Sequence, residues 1–286
     1  MKLLLKNTNS FTEKRINIYC KEKPCLDSSW HYHQEYELLY ISKSNGIRFV
    51  GDNVSPFNPG DLVLVGPYLP HLWRNDISYY NEEDNEISVK TIVTKFAKNF
   101  IGDNTFDNPE FSEVAKLLKQ SNYGICFGKK ISSQLHKEII ELSTLSRPQQ
   151  SIQLLNILYQ LSKTDDKSIL SSSDMRQYTT EHSQRIDTVL NFISDNYAVN
   201  INLNDVSDVA CMTTNSFCRF FKKMTNKSFT QFLNEVRIRN ASRLLTEKNV
   251  SISSVCYTVG YNSITNFNKQ FKQIMGCTPK KFREAI

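Results

Sequence analysis

Short hydrophobic runs separated by turn residues fill the first third of the chain, from about residue 17 to residue 94. The runs are rich in Ile, Val, Leu and Tyr, and small clusters of Ser, Asn, Asp, Gly and Pro separate them. Many short strands with turns between them are typical of a barrel or a sandwich. The pattern predicts β-strands over the segments INIY, YELLYIS, GIRFVG, DLVLVG and ISVKTIVT.

A helical pattern replaces the strand pattern after about residue 109. Apolar residues now recur three or four positions apart, which places them on one face of a helix. Arg147-Pro148 marks a break before the last such stretch, and we therefore expect two antiparallel helices around it. The stretches with this spacing are 111–118, 131–142 and 154–161.

A polar, serine-rich stretch follows these helices and contains few apolar residues. Such a composition is typical of a linker between domains. The sequence therefore predicts a first domain over residues 1–162, a linker over 163–182 and a second domain over 183–286.

Two helix–turn–helix patterns occupy the second domain. In the first, a short amphipathic helix ends near Cys211-Met212, and Thr213 is a suitable N-cap for the helix that follows. A helix–turn–helix needs an apolar stripe on its second helix and an outward face of hydrogen-bond donors, which enters a DNA major groove about 12 Å wide. The predicted inner face of the second helix consists of Phe217, Phe220, Phe221 and Met224.

The same pattern recurs fifty residues later, where Phe267 and Phe271 correspond to Phe217 and Phe221. Gly260 supplies the turn between the two helices of this second unit. An amphipathic segment over 229–248 predicts a long helix that joins the units. A rigid connection of this kind would hold two second helices at a fixed separation.

Composition and charge agree with this division. The chain has 286 residues, with 40% hydrophobic and 22% charged, which is typical of a globular protein with room for two cores. Residues 179–286 carry all of the net charge of +6, because residues 1–178 hold equal numbers of acidic and basic residues. A basic domain beside a neutral one indicates a polyanionic partner for the basic domain only.

Targeting and redox signals are weak. The apolar run in MKLLLK is too short for a signal peptide, and no segment has the length of a membrane span, so we expect a cytoplasmic protein with no membrane partner. The seven cysteines lack any Cys-x-x-Cys pair, which argues against a disulfide framework or a zinc knuckle.

The segment HYHQEYE carries the most distinctive side chains of the first domain. His31, His33, Glu35 and Glu37 alternate with other residues, so on an extended strand they would project from one face. Two imidazoles and a carboxylate on one face are typical of a metal centre.

The second domain resembles the AraC/XylS family of bacterial transcription regulators over residues 183–284. The segments that carry the resemblance are FCRFFKKMTN, RIRNASRLL, ISSVCYTVGYNSITNFNKQFK and GCTPKKFR. Two positions depart from the family pattern: Asn226 and Lys227 replace a glycine after the first recognition helix, and Cys256 replaces an alanine. Asn tolerates the left-handed backbone conformation and Cys is small, so both fit the fold.

This resemblance implies sequence-specific binding of double-stranded DNA through the outward faces of both second helices. The positions implied to read bases are Asn215, Ser216, Arg219, Thr265, Asn266 and Lys269. The positions better placed for phosphates, which carry no sequence information, are Lys222, Lys223 and Lys272.

The first domain resembles the cupin barrel found in many regulators of this family, on the segments HYHQEYE, NPGDLVLVGP and PHLWRN. The fold class implied is α+β with two domains, a cupin-like β-barrel with flanking helices and an all-α domain with two helix–turn–helix units joined by a long helix. The resemblance implies a small-molecule effector pocket that contains His31, His33, Glu37 and His71. The same four residues could instead hold Zn²⁺, Fe²⁺, Ni²⁺ or Mn²⁺, or satisfy one another inside the barrel.

The expected protein is a transcriptional regulator, not an enzyme, and it requires no cofactor beyond the divalent metal considered above. The alternative is a metal-dependent cupin enzyme fused to a DNA-binding domain. RNA polymerase is an expected partner, since effector binding would change either DNA affinity or the contacts with polymerase. The helices within 131–161 either form a homodimer or pack against their own barrel, and we expect the dimer because paired DNA sites are common.

Overall fold

The computed structural model describes residues 15–26, 29–75, 79, 88–173, 180–246 and 250–284. The chain divides into two compact units near residue 177. The first unit is α+β and the second is helical, as the sequence predicts for the fold class. No helix of the described residues combines the length and the apolar character needed to cross a membrane.

Within the described residues, nine strands form the sheets of the first unit. Four of them, β4, β6, β8 and β9, were outside the predicted set; β8 and β9 have only three residues each, and β4 and β6 carry polar residues or a proline within five residues. Their bounds are β1 Ile16–Lys23, β2 Tyr36–Lys43, β3 Gly46–Val50, β4 Asn53–Phe57, β5 Leu62–Val65, β6 His71–Asn75, β7 Val89–Phe96, β8 Ile125–Phe127 and β9 Lys167–Ile169.

The strands are arranged in two sheets. A six-stranded sheet has the order β1-β7-β2-β5-β8-β9, and a three-stranded sheet has the order β4-β3-β6. Among the described residues the strands therefore form two sheets and do not close into the single barrel that was expected. Alternation identifies strands, but the pairing of strands depends on tertiary packing that one sequence does not encode locally.

In the described part of the first unit, three α-helices pack on one face of the six-stranded sheet. They are α1 Ser112–Gln120, α2 Lys129–Glu141 and α3 Arg147–Lys163. Leu38 and Tyr40 of β2 belong to the same buried cluster as Leu135 of α2 and Leu158 of α3. The predicted pair of helices around Arg147-Pro148 is confirmed, and its apolar face is buried within its own unit.

The beginning of the predicted linker at 163–182 differs in the structure. Residues 167–169 form β9, which pairs with β8. Asp52 accepts hydrogen bonds from the Ser171 hydroxyl at 3.0 Å and the Ser172 backbone N–H at 2.8 Å. Polar composition predicted a free segment, but backbone pairing and one buried carboxylate hold residues 167–172 on the first unit. Residues 174–179 of the predicted linker lie outside the described residues.

The second unit contains seven helices in the described residues. The short helices α5 and α8 precede the longer α6 and α9, and α7 lies between the two pairs, as the sequence predicts. The bounds are α4 Thr180–Asn196, α5 Leu203–Val209, α6 Thr214–Thr225, α7 Phe229–Leu244, α8 Ile252–Thr258, α9 Ile264–Met275 and α10 Pro279–Glu284.

Candidate functional site

The first helix–turn–helix unit, α5 and α6, is defined by its helix caps. The Asn202 side chain accepts hydrogen bonds from the backbone N–H groups of Asn204 and Asp205 at the start of α5. Cys211 adopts a positive φ of 51° in the turn, and the Thr213 hydroxyl accepts a hydrogen bond from the Ser216 backbone N–H at the start of α6. These caps satisfy backbone donors that the helix itself leaves unpaired, so they fix where each helix begins.

The inner face of α6 is buried as predicted. The Phe221 ring contacts the rings of Phe229 and Phe232 on α7 at centroid distances of 6.2 and 5.3 Å. Asn226 ends α6 in the left-handed conformation with φ 57°, which agrees with the role expected for an asparagine at the family's glycine position. The aromatic contacts hold α6 against α7 and leave its opposite face toward solvent. Its buried residues are Phe217, Phe220, Phe221, Met224 and Thr225.

The outer face of α6 carries the predicted DNA-contacting residues. Asn215 and Arg219 are exposed, as are Lys222 and Lys223 one turn later. Ser216 is half-buried, and its hydroxyl accepts a hydrogen bond of 3.0 Å from the Thr213 hydroxyl. Ser216 therefore takes part in the N-cap of α6 and offers less to an external partner than Asn215 or Arg219.

The second helix–turn–helix unit, α8 and α9, repeats this construction. Ser251 caps α8 and Ser263 caps α9. Gly260 has φ +88°, and a Cβ at this position would lie 2.7 Å from the backbone oxygen of Ala198. Any other residue here would meet both steric contact and an unfavourable φ, so the turn between α8 and α9 requires glycine.

The outer face of α9 is also accessible. Phe267 and Phe271 are fully buried on its inner side. The exposed residues of α9 at the predicted DNA-contacting positions are Thr265, Asn266, Lys269 and Lys272.

Helix α7 carries both units. Phe232 near its start contacts α6. Ile238 and Ala241 in its second half, and Leu245 at its C-cap, belong to the buried cluster with α8 and α9. The Arg237 side chain donates hydrogen bonds to the backbone oxygens of Tyr197 and Val199 and lies over the Tyr261 ring. The two recognition helices are therefore held through one continuous, internally anchored helix.

A buried cluster of imidazoles and one carboxylate lies in the first unit. His31, His33, Glu37 and His71 each offer one ligand atom, and these atoms lie within 4.8 Å of one another. Strand β2 begins only at Tyr36, so the expectation that the alternating residues share one strand face is wrong for 31–35. Instead, a two-residue backbone bridge between His31 and His71 brings the segment 31–35 to β6.

The hydrogen bonds of the ring nitrogens fix the tautomers of two histidines. The Nδ1–H of His31 donates to the Ser29 oxygen at 2.8 Å, and the Nδ1–H of His71 donates to the Leu69 oxygen at 2.7 Å. Each ring therefore keeps Nε2 as its acceptor. Within the described residues the buried Nε2 of His71 has no hydrogen-bond partner, and the nearest Glu37 oxygen lies 3.9 Å away.

Lys95 is part of this cluster, although sequence reasoning did not include it. Its Nζ lies 3.2 Å from Glu37 Oε2, and both side chains are less than a tenth exposed. The two residues face each other across the β2–β7 ladder. The alternation in β7 could have indicated that Lys95 points inward. Its pairing with Glu37, however, could be predicted only once β2 was known to be the neighbouring strand.

Glu37 is the centre of the charge network. Its Oε2 also accepts a hydrogen bond of 3.0 Å from His33 Nε2. Burial alone would raise the pKa of Glu37, but the hydrogen bond from His33 and the charge of Lys95 hold that pKa well below its usual value. For His33, burial opposes the charged form, but the bonds to Glu35 and Glu37 raise its pKa. The Glu35 carboxylate lies against the other side of the same ring, with its Oε2 3.3 Å from His33 Nδ1.

The pKa of His71 is shifted in the direction opposite to that of His33. Desolvation, together with the neighbouring His31, holds the pKa of His71 well below its usual value. His71 is therefore a neutral imidazole at physiological pH.

The cluster offers the right atoms for a divalent metal, but its charge does not fit one. Three imidazoles and a carboxylate are suitable ligands for first-row metals. The Lys95 ammonium, however, already neutralises Glu37 at 3.2 Å. A dication beside Glu37 would face a second buried cation at short range, which costs free energy in a low-dielectric interior.

A cavity of ≈ 90 Å³ adjoins the cluster. It lies between the face of the six-stranded sheet opposite α1–α3 and the three-stranded sheet. His31 and Glu37 of the cluster line it, together with Lys95 and Trp73.

Comparisons with known proteins match this architecture. Residues 206–285 match the family model described as a helix-turn-helix domain. The chain is 27% identical over 259 residues to the uncharacterized HTH-type transcriptional regulator YdeC of Bacillus subtilis, covering 89% of this chain and 85% of YdeC. It is 22% identical over 256 residues to the HTH-type transcriptional activator RhaR of Mannheimia succiniciproducens, covering 90% and 87%.

Among solved structures, ToxT from Vibrio cholerae aligns over 96% of this chain and 99% of its own, with 13% identity and a TM-score of 0.36.

The match over 206–285 and the arrangement of α5–α9 define a DNA-binding protein with tandem helix–turn–helix units. The relatives that align over most of the chain are named transcriptional regulators and not enzymes. The chain is a DNA-binding transcriptional regulator with a helix–turn–helix domain of the AraC type, as the sequence resemblance implied.

Proposed function

We propose that the chain reads specific DNA sequences with α6 and α9 and that an effector bound in the first unit controls this binding. The proposal rests on one repeated arrangement. Helices α6 and α9 are both capped at their N-termini, both pack on α7, and both present exposed hydrogen-bond donors on one face. The first unit, which ends near residue 177, is assigned to sensing, and residues 183–286 are assigned to DNA binding.

The base contacts are assigned by side-chain chemistry. Arg219 can donate two hydrogen bonds to guanine, and Asn215 and Asn266 can each bracket adenine, with a discrimination of about 1–3 kcal/mol for each good pair. Thr265 and Lys269 complete the α9 face. Ser216 is a weaker candidate because its hydroxyl is engaged in the cap.

Three lysines are assigned to the DNA backbone. Lys222, Lys223 and Lys272 lie in the last turns of their recognition helices. Contacts with phosphates add affinity and salt dependence and carry no sequence preference.

The first unit is proposed to be a cupin-like sensor that binds a small molecule in the cavity beside His31 and Glu37. An effector can shift the regulator only through a difference in its affinity for two arrangements of the protein. A physical connection is available: His71 pairs with Val50 at the end of β3, and Asp52 in the next turn holds Ser171 and Ser172. A change at His71 would therefore reach the start of the linker through three adjacent contacts.

Divalent metal binding is the second candidate for the cluster, supported by the 4.8 Å grouping of ligand atoms. Zinc titration of the full-length wild type, Lys95→Met and His71→Ala separates the candidates. If the Lys95 ammonium takes the place of a metal ion beside Glu37, the wild type binds zinc weakly and Lys95→Met binds it more tightly. Tight binding by the wild type that His71→Ala abolishes would establish the metal site instead.

Dimer formation through α3 is also proposed. Ile152 and Tyr159 are 66% and 52% exposed and lie seven residues apart, on one face of the helix. The other large apolar residues of α3 are buried within the unit, apart from the partly buried Leu155, so this exposed pair is the most accessible apolar part of the helix for a second copy. Ile152→Asp should lower the dimer fraction in sedimentation, whereas Ile169→Asp, at an exposed position on β9, should not.

A contact with RNA polymerase completes the proposal, supported by the relative RhaR, which is named a transcriptional activator. Such a protein would act where the chromosome is transcribed, in the bacterial cytoplasm. In vitro transcription from a bound promoter tests this part.

The full-length wild type and its His33→Ala and His71→Ala variants should be compared for binding to DNA duplexes that the wild type binds in cells. Loss of the effector response with DNA binding retained supports the sensor role. Loss of DNA binding in folded variants, or an unchanged response, contradicts it.

A further inference from the structure

The two recognition helices begin with different side chains. Residues fifty positions apart correspond in α6 and α9, so Thr214 at the start of α6 is matched by Ile264 at the start of α9. The large apolar residues of α6 are all buried. On α9, which the structure describes throughout, Ile264 is the one large apolar residue that is exposed, and it is 39% exposed. The accessible face of α9 therefore contains a large apolar side chain that the face of α6 lacks.

The packing of the second unit does not account for Ile264. Phe267 and Phe271 hold α9 in the buried cluster with α7 and α8, and Ile264 lies outside that cluster. The N-cap of α9 comes from Ser263, whose hydroxyl accepts a hydrogen bond from the Asn266 backbone N–H. A β-branched residue also has a lower helix propensity than many polar residues. The start of α9 therefore has no need of an isoleucine for its own stability.

Ile264 lies at the end of the recognition helix that meets base edges. In helix–turn–helix proteins the N-terminal residues of the second helix contact bases in the major groove. The side chains of a helix lean toward its N-terminus, so a side chain at the first position projects beyond the first turn. Ile264 would therefore lie among the base edges when α9 enters a major groove.

The side chains next to Ile264 are uncharged. Thr265 and Asn266 are exposed, and the first charged residue of α9 is Lys269. In the major groove the C5 methyl group of thymine accepts an apolar contact, and adenine offers a donor and an acceptor that match a carboxamide. Guanine is matched by Arg or Lys, and cytosine by Asp or Glu. The first turn of α9 therefore offers partners for A·T pairs, whereas the face of α6 offers Arg219 for guanine.

We infer that α9 selects a DNA block that contains A·T pairs, in which Ile264 packs against the C5 methyl group of a thymine and Asn266 hydrogen-bonds to an adenine. The inference rests on the proposed base reading by α6 and α9 and specifies the sequence that α9 selects. Thr265 adds a second methyl group on the same turn. The block read by α6 contains the guanine assigned to Arg219, so the two blocks differ in sequence.

Replacement of thymine by uracil in the bound duplex tests the inference, because uracil pairs with adenine in the same way and lacks only the C5 methyl group. The full-length protein first selects a motif from a randomised pool, and each thymine of that motif is then replaced singly. At one position outside the block that Arg219→Ala affects, the wild type should lose about fourfold in affinity, the effect of burying one methyl group. Ile264→Ala should bind the thymine and uracil duplexes about equally.

Val199→Ala is the matched control, since Val199 is an aliphatic residue that is 55% exposed outside the recognition helices. It should keep the fourfold difference, and Ile264→Ala should keep the Tm of the wild type because Ile264 is exposed. Equal affinity of the wild type for all thymine and uracil duplexes, a sensitive thymine only in the Arg219 block, or a difference that Ile264→Ala retains overturns the inference, while the selected motif would still support base reading. A pool without any enriched motif refutes the base reading itself, and this inference with it.

Discussion

The two functional regions of this regulator place their polar chemistry in opposite environments. On α6 and α9 the donors are exposed and project from helices that are fixed by fully buried phenylalanines. In the first unit Glu37, His71 and Lys95 are themselves buried, and they are held by each other. The exposed face of α6 and α9 is thus available to an external partner, whereas the buried cluster has already compensated most of its charge internally.

This difference predicts different consequences of mutation. Removing an exposed donor should change recognition and leave stability nearly unchanged. Removing one member of a buried charge network should change stability first, because it leaves the partner without compensation.

Phe221→Ala should have the largest effect in the second unit. Phe221 is fully buried and contacts two rings of α7, and the truncation of such a residue costs about 3–5 kcal/mol. Thermal unfolding should show the loss, and DNA affinity measured by fluorescence anisotropy should fall with it. Phe96→Ala, equally buried in the first unit, is the control and should destabilise that unit. Unchanged DNA binding by Phe221→Ala would show that α6 is not held as described.

Glu37→Gln should destabilise the first unit by about 3–5 kcal/mol, because it leaves Lys95 as an uncompensated buried charge. The double variant Glu37→Gln/Lys95→Met should lose less than the sum of the two single losses, since no isolated charge remains. Denaturant unfolding of the four proteins measures the coupling. Strict additivity would mean that the two side chains do not form a buried pair.

Arg219→Ala should remove about 1–3 kcal/mol of preference at one base position and leave the Tm unchanged. Competition binding with duplexes substituted one position at a time measures the preference. An equal loss on all sequences would mean that Arg219 contacts a phosphate and not a base.

Lys222→Ala should have the smallest effect. It should weaken binding to all duplexes alike and reduce the slope of log affinity against log salt by about one. Anisotropy titrations at several salt concentrations measure this slope. A change in base preference with an unchanged slope would mean that Lys222 contacts a base and not a phosphate.

The sequence was most informative where function depends on local periodicity. The buried phenylalanines fifty residues apart and the N-cap at Thr213 are local features, so the helices, their inner faces and the exposure of Arg219 followed from spacing. The left-handed Asn226 was expected for the same reason, because residue type limits backbone conformation.

The first unit shows the limit of that reasoning. His31, His33, Glu37 and His71 meet as the resemblance implied, but Lys95 joins them through a cross-strand pairing that no local pattern specifies. Strand β9 within the predicted linker was missed because its three residues pair only in the context of β8. Long-range pairing decides both features, and one sequence does not report it.

The central claim is that two recognition helices on one scaffold read neighbouring segments of a duplex. Selection of bound duplexes from a randomised pool by the full-length protein tests it directly. The account predicts a motif with two blocks about 10 base pairs apart, one helical turn, with Arg219→Ala weakening preference in one block only. A pool without any enriched motif, or a motif with one block that Arg219→Ala leaves unchanged, would contradict it.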